Sequence, residues 1–193
     1  MECKVKIYNH LLKRLRRKSI LFALALSVLS APSHADLVTD SQVGKLNVIK
    51  LLANLGRFVT WPDSSFASAD APMQYCIAGR DDIGTILDDA LGGANAGGRK
   101  FKINRFGIDQ IDQVSGCQLI FIGVDNFDEA KPIVDKIGSS PIISVAQIEG
   151  FTDNGGMVQF IGSDRNVTLR LNKEVLESTP LVVSSKLYGA SQH

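Results

Sequence analysis

Between residues 73 and 145 the chain alternates short apolar runs with helical stripes, and this alternation restricts its fold more than any other feature. Residues 73–78, 119–122 and 141–145, and the segment around Phe101 and Ile103, read as strands. Ile83, Ile86, Leu87 and Ala90 recur at helical spacing, and so do Phe127, Ala130, Ile133, Val134 and Ile137. Strand, helical crossover and strand in succession imply parallel pairing. Near the end, residues 157–161 and 167–171 flank Gly162-Ser163-Asp164-Arg165-Asn166, a hairpin-like connection. The expected fold is α/β, a mixed, mainly parallel sheet with helices on both faces and one C-terminal antiparallel hairpin.

The remaining elements follow from local signals. Thr39, Asp40 or Ser41 can cap a helix carrying Val48, Leu51, Leu52, Leu55, Phe58 and Val59 on one stripe. That helix stops before Trp61-Pro62, because proline biases the residue before it away from helical angles. Pro132 requires the later helix to start late, around Lys131. Residues 92–98 read as a flexible connection, 108–116 as a loop or helical turn, 173–178 as a short helix and 181–187 as a last strand.

Residues 1–35 have the pattern of a cleavable secretory signal. Lys4, Lys6, Lys13, Arg14, Arg16, Arg17 and Lys18 precede an apolar run over residues 20–29, and Ser33-His34-Ala35 supplies small residues for cleavage. The run is too short to cross ~30 Å of hydrocarbon as a lasting anchor. Residues 36–193 then form a single domain. Seven of the 21 basic residues and one of the 20 acidic residues lie in the signal, leaving 14 against 19 and a net charge of −5. An acidic surface argues against nucleic acid as a partner.

Export also limits the chemistry. Of the three cysteines only Cys76 and Cys117 lie beyond the signal, and an even pair in an exported chain reads as one disulfide. The alternative is two separate buried thiols. Of the three histidines only His193 lies beyond residue 35, so an imidazole-based metal site or nucleophile–histidine pair has no internal residue to use. No cofactor is expected, and no catalytic residues can be named.

Other motifs have bland readings. The glycine run before Arg99-Lys100 leaves a helix and enters a strand, the reverse of a phosphate-binding loop. Asp81-Asp82 and Asp88-Asp89 lack the oxygen-ligand spacing of a calcium loop. Trp61, the only tryptophan, either lines a binding surface or plugs the edge of the core. If Phe101 and Ile103 face inward, Lys100, Lys102 and Arg99 make a small basic stripe for an acidic partner or anionic ligand. A solvated edge strand protected by its lysines is the alternative.

Nine local patterns occur in order. They are Phe58-x-x-Trp61-Pro62, Cys76-Ile77-Ala78-Gly79, Gly98-Arg99, Cys117-x-x-x-Phe121-Ile122, Pro141-Ile142-x-x-Val145, Gly150-Phe151, Gly155-Gly156-Met157-Val158-x-Phe160, Asn172 and Ser184-Ser185-Lys186-Leu187. In this the chain resembles the YfiR-like family of periplasmic proteins. The resemblance implies a regulator, not an enzyme, that represses an inner-membrane diguanylate cyclase through its periplasmic sensor part. Cyclic-di-GMP and biofilm formation would follow. An outer-membrane lipoprotein can sequester such a regulator, and a sensor kinase is another possible membrane partner. Cys76 and Cys117 match the family's shared pair, while a second pair expected near the segment around Gly150 to Met157 is missing. Phe58, Trp61, Arg99, Lys100, Lys102 and Lys186 are the candidate partner- or ligand-binding residues. The first helix, with its broad stripe, could support a homodimer. The alternative function is a periplasmic small-ligand binding protein, with its pocket at the carboxyl ends of the parallel strands.

Overall fold

The computed structural model describes residues 38–191, so the signal segment and His193 lie outside the described residues. The first helix, α1 (Gln42–Phe58), begins where Ser41 Oγ accepts the Gly44 amide at 2.9 Å. It buries Val48, Ile49, Leu52, Leu55 and Gly56 on one face. The chain then forms β1 (Val59–Thr60), β2 (Met73–Gly79), α2 (Ile86–Leu91), β3 (Asn95–Ala96) and β4 (Arg99–Phe106). A 3-10 segment, Ile111–Gly116, leads to β5 (Leu119–Gly123), α3 (Phe127–Ile137) and β6 (Ile143–Ala146). The last third holds β7 (Val158–Ile161), β8 (Thr168–Leu171), α4 (Lys173–Glu177), β9 (Val182–Val183) and α5 (Ser185–Gly189). Among the described residues, no helix is long and apolar enough to cross a membrane.

Seven strands form one sheet in the order β3-β4-β2-β5-β6-β7-β8. The pairs β2–β4, β2–β5, β5–β6 and β6–β7 are parallel; β3–β4 and β7–β8 are antiparallel. A separate two-stranded antiparallel sheet joins β1 to β9. The fold is thus the mixed, mainly parallel α/β arrangement that the alternation predicts, with its C-terminal hairpin.

Register fixes the two faces. Partners in register share a side, so Met73, Tyr75, Ile77, Phe101, Ile103, Leu119, Phe121, Ile143 and Val145 lie on one face. α1 covers it, and the Tyr75 hydroxyl donates to the Leu52 carbonyl at 2.9 Å. Burial pushes the Tyr75 pKa up, so that hydroxyl stays a donor. The other face carries Cys76, Ala78, Ile120, Ile122 and Ala146. The connection from β2 through α2 leads outward to β4, while that from β5 through α3 leads the opposite way to β6. Right-handed crossovers therefore put α2 and α3 on opposite faces.

Cys76 and Cys117 are bonded, with their Cα atoms 5.9 Å apart. The bridge ties β2 to the end of the 3-10 segment just before β5, and both residues are buried.

Four local expectations need correction. α3 starts at Phe127, not near Lys131, with Asn126 Oδ1 accepting the Glu129 amide at 3.1 Å. Pro132 is tolerated because it and Asp128, whose carbonyl loses its helical partner, are both exposed, so water can take that place. The expected last strand over 181–187 shrinks to Val182–Val183, because Ser184 Oγ accepts the Lys186 amide and starts α5. The glycine connection is not structureless: Asn95 and Ala96 fold back on Lys100 and Arg99 as a hairpin, with positive φ at Gly97 and Gly98. Finally, Arg99 does not share a stripe with Lys100 and Lys102, because strand periodicity sends position 99 to the opposite side.

Candidate functional site

In an open α/β sheet, ligands favour the carboxyl ends of strands at the point where connections diverge, here between β2 and β5. That point is closed. A Cβ on Gly123 would run into the Arg80 carbonyl oxygen, and the Arg80 amide donates to the Gly123 carbonyl at 2.8 Å. The Arg80 guanidinium then pairs with Asp82 and Asp125, each at 2.8 Å. Beside it, Arg105 pairs with Asp81 at 2.6 Å and also with Asp88. The Arg105 hydrogen bond holds the Asp88 carboxyl below its ordinary pKa.

A cavity opens instead at the amino end of the sheet. Its volume is about 270 Å³, and Arg57, Thr60, Trp61, Phe66, Met73 and Arg99 are among the residues that line it. The end of α1, β1, the loop over residues 61–72, the start of β2 and the β3–β4 hairpin build it.

Gln118 holds that loop in place. Its carbonyl oxygen accepts the Trp61 indole N–H at 3.1 Å, and its side-chain amide donates to the Ser65 carbonyl at 2.7 Å. Its side-chain oxygen accepts the Gln74 amide at 2.8 Å. Arg99 latches the far end. One guanidinium nitrogen donates to the carbonyls of Ser68, at 3.0 Å, and Ala71, at 2.8 Å. The Arg99 guanidinium carbon also lies 3.7 Å from the centre of the Phe66 ring, a cation–π stack. A Ser-, Ala- and Asp-rich loop with little apolar surface is thereby fixed by two side chains from outside it.

Of the residues singled out from the sequence, Trp61 and Arg99 meet at this cavity. Trp61 is only 6% exposed, so it plugs the edge of the core and presents one side to the cavity wall. Phe58 is half-buried and packs against the core; its carbonyl accepts the Ser184 amide at 2.8 Å. Lys100 and Lys102 are exposed on the other side of β4, and Lys186 is exposed on α5. These three are outside the cavity lining.

Three contributors were missed from the sequence: Arg57, Phe66 and Val182. Arg57 is exposed at the end of α1, and among the described residues no ion pair holds it. Val182 is 67% exposed, more than Val43 or Leu46, the other exposed large apolar residues among those described. It stands opposite Thr60 in the β1–β9 pair, next to the cavity wall. Phe66 was legible as the one large apolar side chain between Pro62 and Met73. Val182 was not, because its exposure depends on which strand it pairs with.

A search of curated proteins found no match. The model of the YfiR/HmsC-like family matches residues 47–191, which contain every described strand, the disulfide and the whole cavity lining. That family is one of periplasmic regulators of diguanylate cyclases, not of enzymes. With the match covering well over half of the sequence, the chain belongs to the YfiR/HmsC-like family.

Proposed function

We propose that this chain is exported to the periplasm, where it represses an inner-membrane diguanylate cyclase by binding that enzyme's periplasmic sensor part. The observation that carries the reading is the surface at the amino end of the sheet. There the exposed Val182 stands beside a cavity rimmed by Arg99 and by Arg57, which no ion pair holds among the described residues. Protein interfaces favour arginine and apolar anchors that seat in small pockets, and a cavity of about 270 Å³ suits one or two partner side chains. A lipoprotein that covered the same surface would relieve repression. The test is co-purification: the tagged mature chain should retain a membrane cyclase encoded beside it, and the Arg57→Glu/Val182→Asp double variant should not. Retention of the cyclase by the double variant as by wild type would remove this surface from the account.

The cavity also favours a second reading, small-ligand binding, at the amino rather than the carboxyl ends of the strands. Its volume lies just below the usual range for ligand pockets. A thermal-shift screen separates the two readings, since a ligand that binds only the folded form raises its stability.

A further inference from the structure

β4 presents an open edge. β3 covers only its first two residues, pairing Asn95 with Lys100 and Ala96 with Arg99. Along residues 101–106, β4 is paired with β2 on its inner side. Among the described residues no strand or turn bonds to the outer side of 101–106. Edges of this length are usually blunted by a proline, a bulge or a covering loop, and this stretch has no proline and an unbroken register with β2.

Charge is the device it does have. Lys100 and Lys102 project from the same side of the strand, are exposed, and take part in no ion pair among the described residues. The neighbouring polar groups are already occupied. Arg105 is held by Asp81 and Asp88, and Asn104 donates to the Gln74 side chain at 2.9 Å. In an antiparallel pairing centred on Ile103, a second copy would set Lys102 opposite Asn104, where it meets no carboxylate. Opposite charges facing each other across two strands stabilise the pair. A second copy therefore brings this edge no charge pair, whereas a strand of opposite charge brings one to the same free backbone groups.

We propose that the outer edge of β4 is a docking site for an extended acidic segment of a partner protein, which adds to the sheet along residues 101–106 as an eighth strand, with a carboxylate opposite Lys102 and in diagonal reach of Lys100. Main-chain hydrogen bonds would supply affinity and the lysines would supply selectivity. This is separate from the amino-end cavity and holds or fails independently of the cyclase reading.

The test uses two blocked peptides, one alternating Glu with Val and the other alternating Lys with Val, titrated into the 15N-labelled mature protein. The acidic peptide should shift amide resonances concentrated at residues 100–106, and the basic peptide should not. The Lys100→Glu/Lys102→Glu variant should reverse that preference, each peptide's apparent Kd changing by about tenfold, as expected from two cross-strand charge pairs. Both positions are exposed, and an unchanged spectrum away from β4 confirms that the variant folds. Shifts that are absent, scattered or centred on β8, or a preference for the acidic peptide that survives the charge reversal, would overturn the proposal.

Discussion

Trp61 donates its indole N–H to the carbonyl oxygen of Gln118 across 3.1 Å, tying the turn after α1 to the entry of β5, the middle strand of the sheet. The same carbonyl accepts the Ile143 amide at 2.9 Å, so it keeps a partner when the indole is removed. Trp61→Phe should therefore cost only the net hydrogen bond, about 1 kcal/mol. Trp61→Ala also empties a buried volume and should cost about 3–5 kcal/mol. Urea unfolding of the two variants checks this ordering.

Gly56 faces Tyr75 across the contact between α1 and the sheet. A Cβ there would lie 2.7 Å from the Tyr75 hydroxyl and 3.1 Å from the Ala96 Cβ. Gly56→Ala should destabilise the protein by about 1–3 kcal/mol, although alanine is the better helix former, because a packed interface cannot give way. Gly56→Ala combined with Tyr75→Phe should recover part of the loss in thermal unfolding, since it removes the nearest clashing atom.

The Cys76–Cys117 bridge is buried and closes a loop of about 40 residues, so its removal should cost roughly 4 kcal/mol in the chain-entropy model. A thiol reductant should reach it only when the protein unfolds. Mass spectrometry after alkylation should find the bond intact in native protein treated with dithiothreitol and reduced once urea is added. Rapid reduction of the native protein would instead mark this bond as a redox-sensitive element.

Arg105 lowers the Asp88 pKa, and the sign of the pH effect follows. A carboxyl whose folded pKa lies below its unfolded value adds stability above the unfolded pKa, and that stability is lost as pH falls through the folded one. Both side chains are partly exposed, so the contribution should stay under about 1 kcal/mol. Asp88→Asn should lower the melting temperature slightly near neutral pH and leave it nearly unchanged well below pH 4, where the wild-type carboxyl is itself losing its charge.

Much of the sheet was legible because its strands are short apolar runs bounded by turn residues, and Ser41 caps a helix as its residue type suggests. The cysteine pair was legible from an even count beyond the expected signal segment. What the sequence hid depends on tertiary position. Pro132 looked like a late helix start until Asp128 proved to be exposed to water. Arg99 seemed part of a basic stripe because composition does not show that Ser68 and Ala71 offer it carbonyl oxygens. The cavity moved from the carboxyl to the amino ends of the strands because Gly123 lets the Arg80 backbone close the expected crevice.

The central claim is that the amino-end surface represses a cyclase, and the cellular level of cyclic-di-GMP in a strain lacking this gene tests it most directly. Deletion should raise that level and the wild-type gene should restore it, whereas the Arg57→Glu/Val182→Asp gene, expressed at equal periplasmic abundance, should leave it high. An unchanged level on deletion, or full restoration by the double variant, would contradict the account.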